Sequence, residues 1–420
     1  MFFLYQIIIT ITLIFSPLII FFRILKKKED KKRYKEKFCF PSKKRISGNL
    51  IWFHGSSVGE LLSILPLVQE LEKNKSINQI LITTSTLSSA QIFKKFNFKK
   101  TVHQFFPIDS IFFSYKFLNY WKPTIAIFIE SEIWPSIFKI INKKKIPLKL
   151  LNARITKKTF NKWRCVKKFS NSVFQNISIA YPQNEETLNY LKKLNVKKIK
   201  KIGNLKFFNN QQSKLTKLDN TFLKNINLKK IWCASSTHPG EEIICADVHI
   251  NLKKKYKNLL TIIIPRHIHR VNKIVNEIKS LDLNIVLHSS RPKKLNNTDI
   301  YLVDTYGETQ KFYQSSDIVF MGKSISGKGG QNPLEPTNLG STVLYGPNVD
   351  NFKDTYKLLN KLKVAYKVNG VKSLTQSIDK LITKPNNKKN YLKIAKIGKK
   401  ILNETKDEIN SLFNNEIKKT

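Results

Sequence analysis

Acidic side chains are scarce in this sequence. Aspartate and glutamate number 29 among 420 residues against 75 lysines and arginines, a formal charge of +46. So one-sided a chain implies an anionic partner, whether nucleic acid, acidic lipid or a phosphorylated substrate. Many of the lysines stand in runs with asparagine, as in Lys192-Lys193-Leu194-Asn195 and Lys384 to Asn390. A genome-wide codon bias leaves that pattern, so part of the charge is compositional. Glycine and proline are few, 14 and 15, which excludes a collagen-like or low-complexity chain. Only four cysteines occur, Cys39, Cys165, Cys233 and Cys245, and none forms a C-x-x-C pair. That fits a reduced compartment and argues against a disulfide framework or a cysteine-rich zinc site. The seven histidines include no H-E-x-x-H, and His267 and His269 are spaced for a strand or turn. No internal repeat of fixed period is present. Hydrophobic residues make up 41%, enough to bury a core and to exclude global disorder. The length favours two or three domains.

The first 22 residues carry no formal charge, a run long enough to span ~30 Å of hydrocarbon as a helix. Residues 23–38 follow with nine basic and three acidic side chains. No basic segment precedes the apolar run and no A-x-A site follows it, so it reads as a retained anchor rather than a cleaved signal peptide. The positive flank predicts a single-pass protein with its body on the cytoplasmic side. Pro17 is tolerated inside such a helix. The basic segment 23–45 would also hold acidic headgroups.

From residue 46 onward strand and helix patterns alternate. Buried-strand runs are expected at Leu50–His54, Ile80–Thr84, Thr124–Ile129, Leu148–Leu151 and Ser178–Tyr181. A second series is expected at Ile231–Ala234, Leu259–Ile264, Asn284–His288, Ile300–Val303, Asp317–Phe320 and Thr342–Tyr345. Helical periodicity intervenes, as at Leu61–Leu71, Asn184–Leu194, Glu241–Leu252 and Asp354–Leu362. Such alternation gives parallel sheets covered by helices. Two series are too many for one sheet. The expectation is an α/β protein of two Rossmann-like domains facing a cleft, 46–208 and 230–420, joined by the polar linker 209–229.

Ligands bind at the carboxyl ends of strands in such sheets. There the sequence is polar and glycine-rich. The first domain offers Gly55-Ser56-Ser57-Val58-Gly59-Glu60, Glu130-Ser131-Glu132-Ile133-Trp134-Pro135, Asn152-Ala153-Arg154 and Gly203-Asn204-Leu205-Lys206-Phe207. The second offers Ser235-Ser236-Thr237-His238-Pro239-Gly240-Glu241-Glu242, Pro265-Arg266-His267, Asp304-Thr305-Tyr306-Gly307-Glu308, Gly322-Lys323-Ser324 and Gly329-Gly330-Gln331-Asn332-Pro333-Leu334-Glu335-Pro336. A glycine pair before a helix start makes an anion cradle. Asn332, Pro333 and Glu335 also read as a capping box variant that needs no ligand.

These strings, in this order from about residue 50 to 350, resemble the family of Kdo transferases. That family adds 3-deoxy-D-manno-octulosonic acid (Kdo) to lipid A precursors. Small departures are Gly55 where alanine is usual, Gln331 where histidine is common, and an altered spacer before Gly329. The resemblance implies a glycosyltransferase of the B type, with CMP-Kdo bound by the C-terminal domain and the lipid A precursor by the N-terminal one. It also implies an inner-membrane setting with acidic lipids.

By the resemblance Glu60 is the proton acceptor. Without it, Glu60 also reads as a first-turn glutamate favoured by the helix dipole. Glu130 and Lys206 are implied to stabilise the transition state, or else to form an interdomain ion pair. Glu130 and Glu132 are the next candidates for the base. Pro265 and Arg266 resemble the nucleotide site, joined by Tyr306, Gly307, Glu308 and Asn332-Pro333-Leu334-Glu335, with Glu335 toward the ribose. An arginine at a strand end suits phosphate geometry. His54, His238 and His267 read equally as structural residues or ligand contacts. A single phosphate can be neutralised by Arg266, Lys206 and a helix end, and no D-x-D motif follows a strand, so no metal or cofactor is expected. Three rival readings are a B-type transferase using a UDP- or GDP-sugar, a membrane-tethered nucleic-acid binder, and a purely structural anchored protein. The second would carry clustered aromatic and basic readers, none of which is evident, and no nucleic-acid partner is expected.

Overall fold

A computed structural model describes residues 1–208, 218–227, 229–292, 294–384 and 388–419. The chain forms two compact units, Met1–Phe208 with Gly398–Thr420, and Asn209–Ile397. The expected second domain ran to residue 420. Instead, the last helix, Lys388–Ile417, carries its C-terminal part into the first unit. Glu408 accepts from Tyr181 at 2.9 Å and pairs with Lys200, and Asn74 donates to Asn410 at 2.9 Å. Residues 209–217 and 228 of the expected linker 209–229 lie outside the described residues, and its later part is a helix, Asn220–Asn227.

The first unit holds six parallel strands: β1 Leu50–His54, β2 Gln79–Thr84, β3 Thr101–Phe105, β4 Ile125–Ile129, β5 Leu148–Ala153 and β6 Ile179–Pro182. Their order is β3-β2-β1-β4-β5-β6, doubly wound, with the direction of winding reversing between β1 and β4. The runs read from sequence are fully or almost fully buried, which is why they lack alternation. Strand β3 escaped that reading because its buried positions include His103 and Gln104. Each is satisfied there: Thr84 Oγ1 meets His103 Nε2 at 2.9 Å, and Gln104 donates to Ser42 at 3.2 Å. Trp52, Phe117, Phe128 and Phe138 interlock beneath the sheet, with Trp52 and Phe128 rings 5.0 Å apart. Truncating Trp52 to alanine would cost about 3–5 kcal/mol.

Helix α1, Phe2–Leu25, belongs to this unit. Its less exposed residues, among them Tyr5, Gln6, Ile9, Leu13, Ser16 and Ile20, recur every three or four positions and form one stripe. The rest of its surface is open and, apart from Thr10 and Thr12, almost entirely apolar.

The second unit holds β7 Lys230–Thr237, β8 Leu259–Pro265, β9 Ile285–Leu287, β10 Ile300–Leu302, β11 Ile318–Met321, β12 Thr342–Tyr345 and β13 Ala365–Lys367. All pair in parallel, in the order β13-β12-β11-β7-β8-β10-β9. The winding reverses between β7 and β11. Edge strand β13 was not anticipated: only Ala365 of its three residues is buried.

Candidate active site

In the first unit the polar turns after β1 and β4 flank the point of reversal. Helix α2, Val58–Leu71, starts there with a full capping box. Ser57 Oγ accepts from the Glu60 backbone at 3.3 Å, and the Ser57 backbone donates to Glu60 Oε2 at 3.0 Å. The cap therefore fixes the carboxylate that the sequence singled out. Gly55 matters to the same group, since a Cβ there would lie 3.1 Å from that of Glu60.

Glu132, three residues beyond the end of β4, accepts from His54 Nε2 at 3.1 Å, Ser56 Oγ at 2.5 Å and Trp134 Nε1 at 2.8 Å. Burial works to raise its pKa, but those donors more than offset it and hold the carboxylate below its usual range. Burial pushes His54 below its ordinary value, with Glu132 opposing, so the imidazole is neutral. Nε2 faces the carboxylate, and Nδ1 lies 3.0 Å from the Thr83 hydroxyl and 3.2 Å from the Thr83 carbonyl. His54 is fully buried, with its ring stacked on Phe106 at 3.7 Å. Glu60 moves the opposite way. Burial first, then the negative charge of Glu132, raise its pKa to about 7, against the bond from the Ser57 backbone. Two neighbouring carboxylates are thus driven apart, one fixed as an anion and one poised near neutrality.

Glu130 closes β4 with φ +55°, a left-handed conformation rare for glutamate, and is buried. Lys206 Nζ lies against its Oε1 as an ion pair, without the alignment of a hydrogen bond. The expected opposition of these two residues is thus a direct contact within one unit, not an interdomain pair. Lys206 sits in a short 3-10 turn, Leu205–Phe207, started by Asn204, whose Oδ1 accepts from the Lys206 backbone at 2.9 Å. Asn152, also left-handed and buried, accepts from the Leu205 backbone at 3.2 Å while its Nδ2 has no hydrogen-bond partner among the described residues. Sequence reasoning gave Asn152 no role. Glu132 stood only as a fallback base, although both lie in the strings after β4 and β5. Its three donors make it a fixed charge instead.

In the second unit Pro265 is the buried last residue of β8, paired with Thr237 across a register shift. Arg266 follows, exposed, its backbone donating to Thr237 at 3.1 Å. The rings of His238, His267 and His269 lie beside it, at centroid distances of 5.7 and 5.5 Å in series. Tyr306 is exposed and Gly307 is left-handed, φ +86°. Glu308 accepts from Lys311 at 2.6 Å, Thr305 at 2.6 Å and His288 at 2.8 Å. Burial works to raise it, but these donors outweigh that and take its pKa to about 2. The expected capping box at Asn332–Glu335 does not form as read. The helix is only Leu334–Asn338, with Pro333 as its first flanking residue and no side-chain cap. Asn332 Oδ1 still accepts from the Leu334 backbone at 3.2 Å, but Glu335 turns away to accept from Gln310 at 3.2 Å. So short a helix adds little dipole to an anion site. The preceding loop bends instead through Gly329 and Gly330, φ +90° and +66°, and a Cβ on Gly329 would lie 2.2 Å from the Asn351 amide.

Glu241 was read only as part of a polar turn. Its buried carboxylate accepts from the backbones of His238, Lys323, Ser324 and Ile325 at 2.7–3.0 Å. It thereby ties the turn after β7 to the loop after β11, the two sides of the reversal point.

Two doubly wound parallel units, each with its polar turns at the reversal point, define the glycosyltransferase B architecture. A glycosyltransferase from Rickettsia africae shares the fold with TM-score 0.57 and 13% identity, over 89% of this chain and all of that one. A putative UDP-N-acetylglucosamine 2-epimerase from Listeria monocytogenes shares it with TM-score 0.61 and 12% identity, over 88% and 98%. Sequence narrows the class. The family profile described as 3-deoxy-D-manno-octulosonic-acid transferase (kdotransferase) matches residues 32–209. The 3-deoxy-D-manno-octulosonic acid transferase of Rickettsia bellii is 35% identical over 408 residues, 94% of this chain and 96% of that protein. That of Haemophilus influenzae is 29% identical, covering 86% and 85%. The chain belongs to the Kdo transferase family and is a glycosyltransferase.

Proposed function

We propose that the chain transfers Kdo from CMP-Kdo to a lipid A precursor of the lipid IVA type, releasing CMP, at the cytoplasmic face of the inner membrane. The reading rests on family membership. The observation that carries its chemistry is the Glu60 carboxyl, fixed by its cap and raised to about 7 beside the permanent charge of Glu132. A base of that pKa accepts a proton near neutral pH. The acceptor hydroxyl attacks the anomeric carbon of Kdo, the bond from that carbon to the CMP phosphate oxygen breaks, and the hydroxyl proton passes to Glu60. Lys206, held against Glu130, supplies positive charge to the developing transition state. The donor nucleotide is held by the second unit: Arg266 beside Pro265 meets the phosphate, while Tyr306, Gly307, Glu308 and the Asn332–Glu335 segment frame the nucleoside. Helix α1 and the basic residues after it hold the protein to acidic lipid.

The test is incubation of the full chain with CMP-Kdo and tetra-acylated lipid A precursor, with product mass read directly. Mass increments of one or more Kdo units, inhibited by CMP and not by UDP, are expected. Inhibition by UDP alone, with no Kdo added, would overturn the reading.

A further inference from the structure

Helix α1 is long and apolar enough to cross a bilayer, with mean hydropathy 2.4. At 1.5 Å per residue its 24 residues measure about 36 Å. In a crossing helix the first turn would lie on the far side of the membrane from the body. Here the first turns are bound to the body. Tyr5 donates to Asp109 at 2.6 Å and Gln6 to Ser136 at 2.7 Å. Asp109 is itself fixed, since it accepts from the Ser136 and Ile137 backbones at 3.0 and 2.8 Å and caps the helix Pro135–Lys143. Phe2 adds a ring contact to Phe169 and lies under the Lys139 ammonium, 4.2 Å from the ring centroid. At the other end Arg23 meets Glu29 at 3.0 Å, and the chain turns directly into the body, where Arg33 donates to the His103 carbonyl at 2.8 Å. Between the two ends the stripe of less exposed residues continues through Ser16 and Ile20.

Among the described residues none covers the opposite face. Phe3, Ile7, Ile11, Ile14, Phe15 and Phe22 are each 40–78% exposed along its length. Past its end stand the exposed Lys26, Lys27 and Lys28. An apolar face this long beside clustered cations matches a leaflet of anionic lipid: acyl chains for the face, headgroups for the lysines.

We infer that α1 lies flat in the surface of an anionic bilayer, docked on the first unit at both ends, with its outer face sunk in one leaflet. This replaces the single-pass crossing expected from apolar length alone, and it rests on the membrane attachment proposed above. Residues 1 and 26 are then on the same side of the membrane as the catalytic body. The test uses the full chain in native membranes, in a Cys165→Ser background. Gln6→Cys and Ser136→Cys are treated with a bismaleimide whose arm is much shorter than the ~30 Å hydrocarbon thickness. Intramolecular cross-linking of most of the protein is expected. A second measurement leaves the docking contacts intact: a short epitope added before Met1 should be digested by protease from the same vesicle face that exposes the body. An epitope reached only from the opposite face, with no cross-link, would overturn the inference. In flotation, the purified chain should bind phosphatidylglycerol vesicles at least about tenfold more tightly than phosphatidylcholine vesicles. Equal binding, or none, would overturn the choice of an anionic leaflet. Loss of Kdo transfer with the cross-link intact would count against the proposed function alone.

Discussion

Replacing Glu60 by glutamine probes the proposed base through two readouts that move in opposite directions. The side chain keeps its shape and its bond from the Ser57 backbone, but it can neither accept a proton nor carry charge. Turnover should fall about 10²–10⁴-fold, the usual contribution of a general base. Stability should rise, and only above a certain pH. In the folded protein the carboxyl titrates near 7 rather than 4.5, because burial and the Glu132 charge disfavour its anion. Below the unfolded value both states hold the proton and the group contributes nothing. As pH rises from 4.5 to about 7 the unfolded chain ionises first, so the wild-type protein loses stability across that window, and the penalty stays constant above it. At 1.36 kcal/mol per pH unit the ceiling is about 3 kcal/mol. Partial exposure of Glu60 and the favourable position of an anion at a helix start reduce this to about 1–2 kcal/mol. Thermal unfolding of both proteins at pH 4 and pH 8, beside turnover at pH 8, measures both effects. Glutamine should match wild type at pH 4 and exceed it at pH 8. A difference independent of pH would refute the poised carboxyl, and near-normal turnover would refute the base.

Glu132→Gln removes the fixed charge beside Glu60, so the acidic limb of the kcat/KM profile should move to lower pH; an unmoved limb would leave burial and the Glu130 charge as the causes. Arg266→Ala should weaken CMP binding in calorimetry by about tenfold or more while the Glu60→Gln protein binds CMP normally, and equal loss in both would contradict the division of labour between units. Glu241→Gln puts an amide N–H₂ among backbone donors, so the unfolding transition of the second unit should drop by the equivalent of about 3 kcal/mol or more, and a smaller loss would mean the loop after β11 is held by other means. Activity should persist within about twofold in excess EDTA, since one phosphate is within the reach of side-chain cations; complete loss restored by one particular cation would sink that expectation.

The strands were legible because buried parallel strands read as unbroken apolar runs. Leu50–His54 and Thr342–Tyr345 fall on the residues read from sequence. Strand β3 was not legible, because His103 and Gln104 are buried through partners distant in sequence. Glu60 was visible from its position after a glycine turn. What gives it a pKa near 7 was not, since that depends first on its burial in the fold and then on Glu132 arriving from another strand end. The capping box read at Asn332 failed because Pro333 itself stands at the helix boundary and Glu335 finds Gln310 instead. Glu241 resembled any first-turn glutamate, and only the fold brings the loop after β11 around it. The last helix is amphipathic whichever unit receives it, so its sequence could not name its destination.

That return of the last helix sets a timetable for synthesis. The first unit is discontinuous, since roughly 190 residues separate its two parts. At ~5–20 residues per second the ribosome takes about 10–40 s to cross that gap. Throughout that interval Tyr181, Lys200 and Asn74 lack the partners that Glu408 and Asn410 will supply, and Ile401 has not yet packed against Gly203. On the attachment proposed above, α1 meets lipid before that interval begins. A nascent chain thus waits with its first unit unclosed, and that unit is sealed only when Gly398–Thr420 has been made.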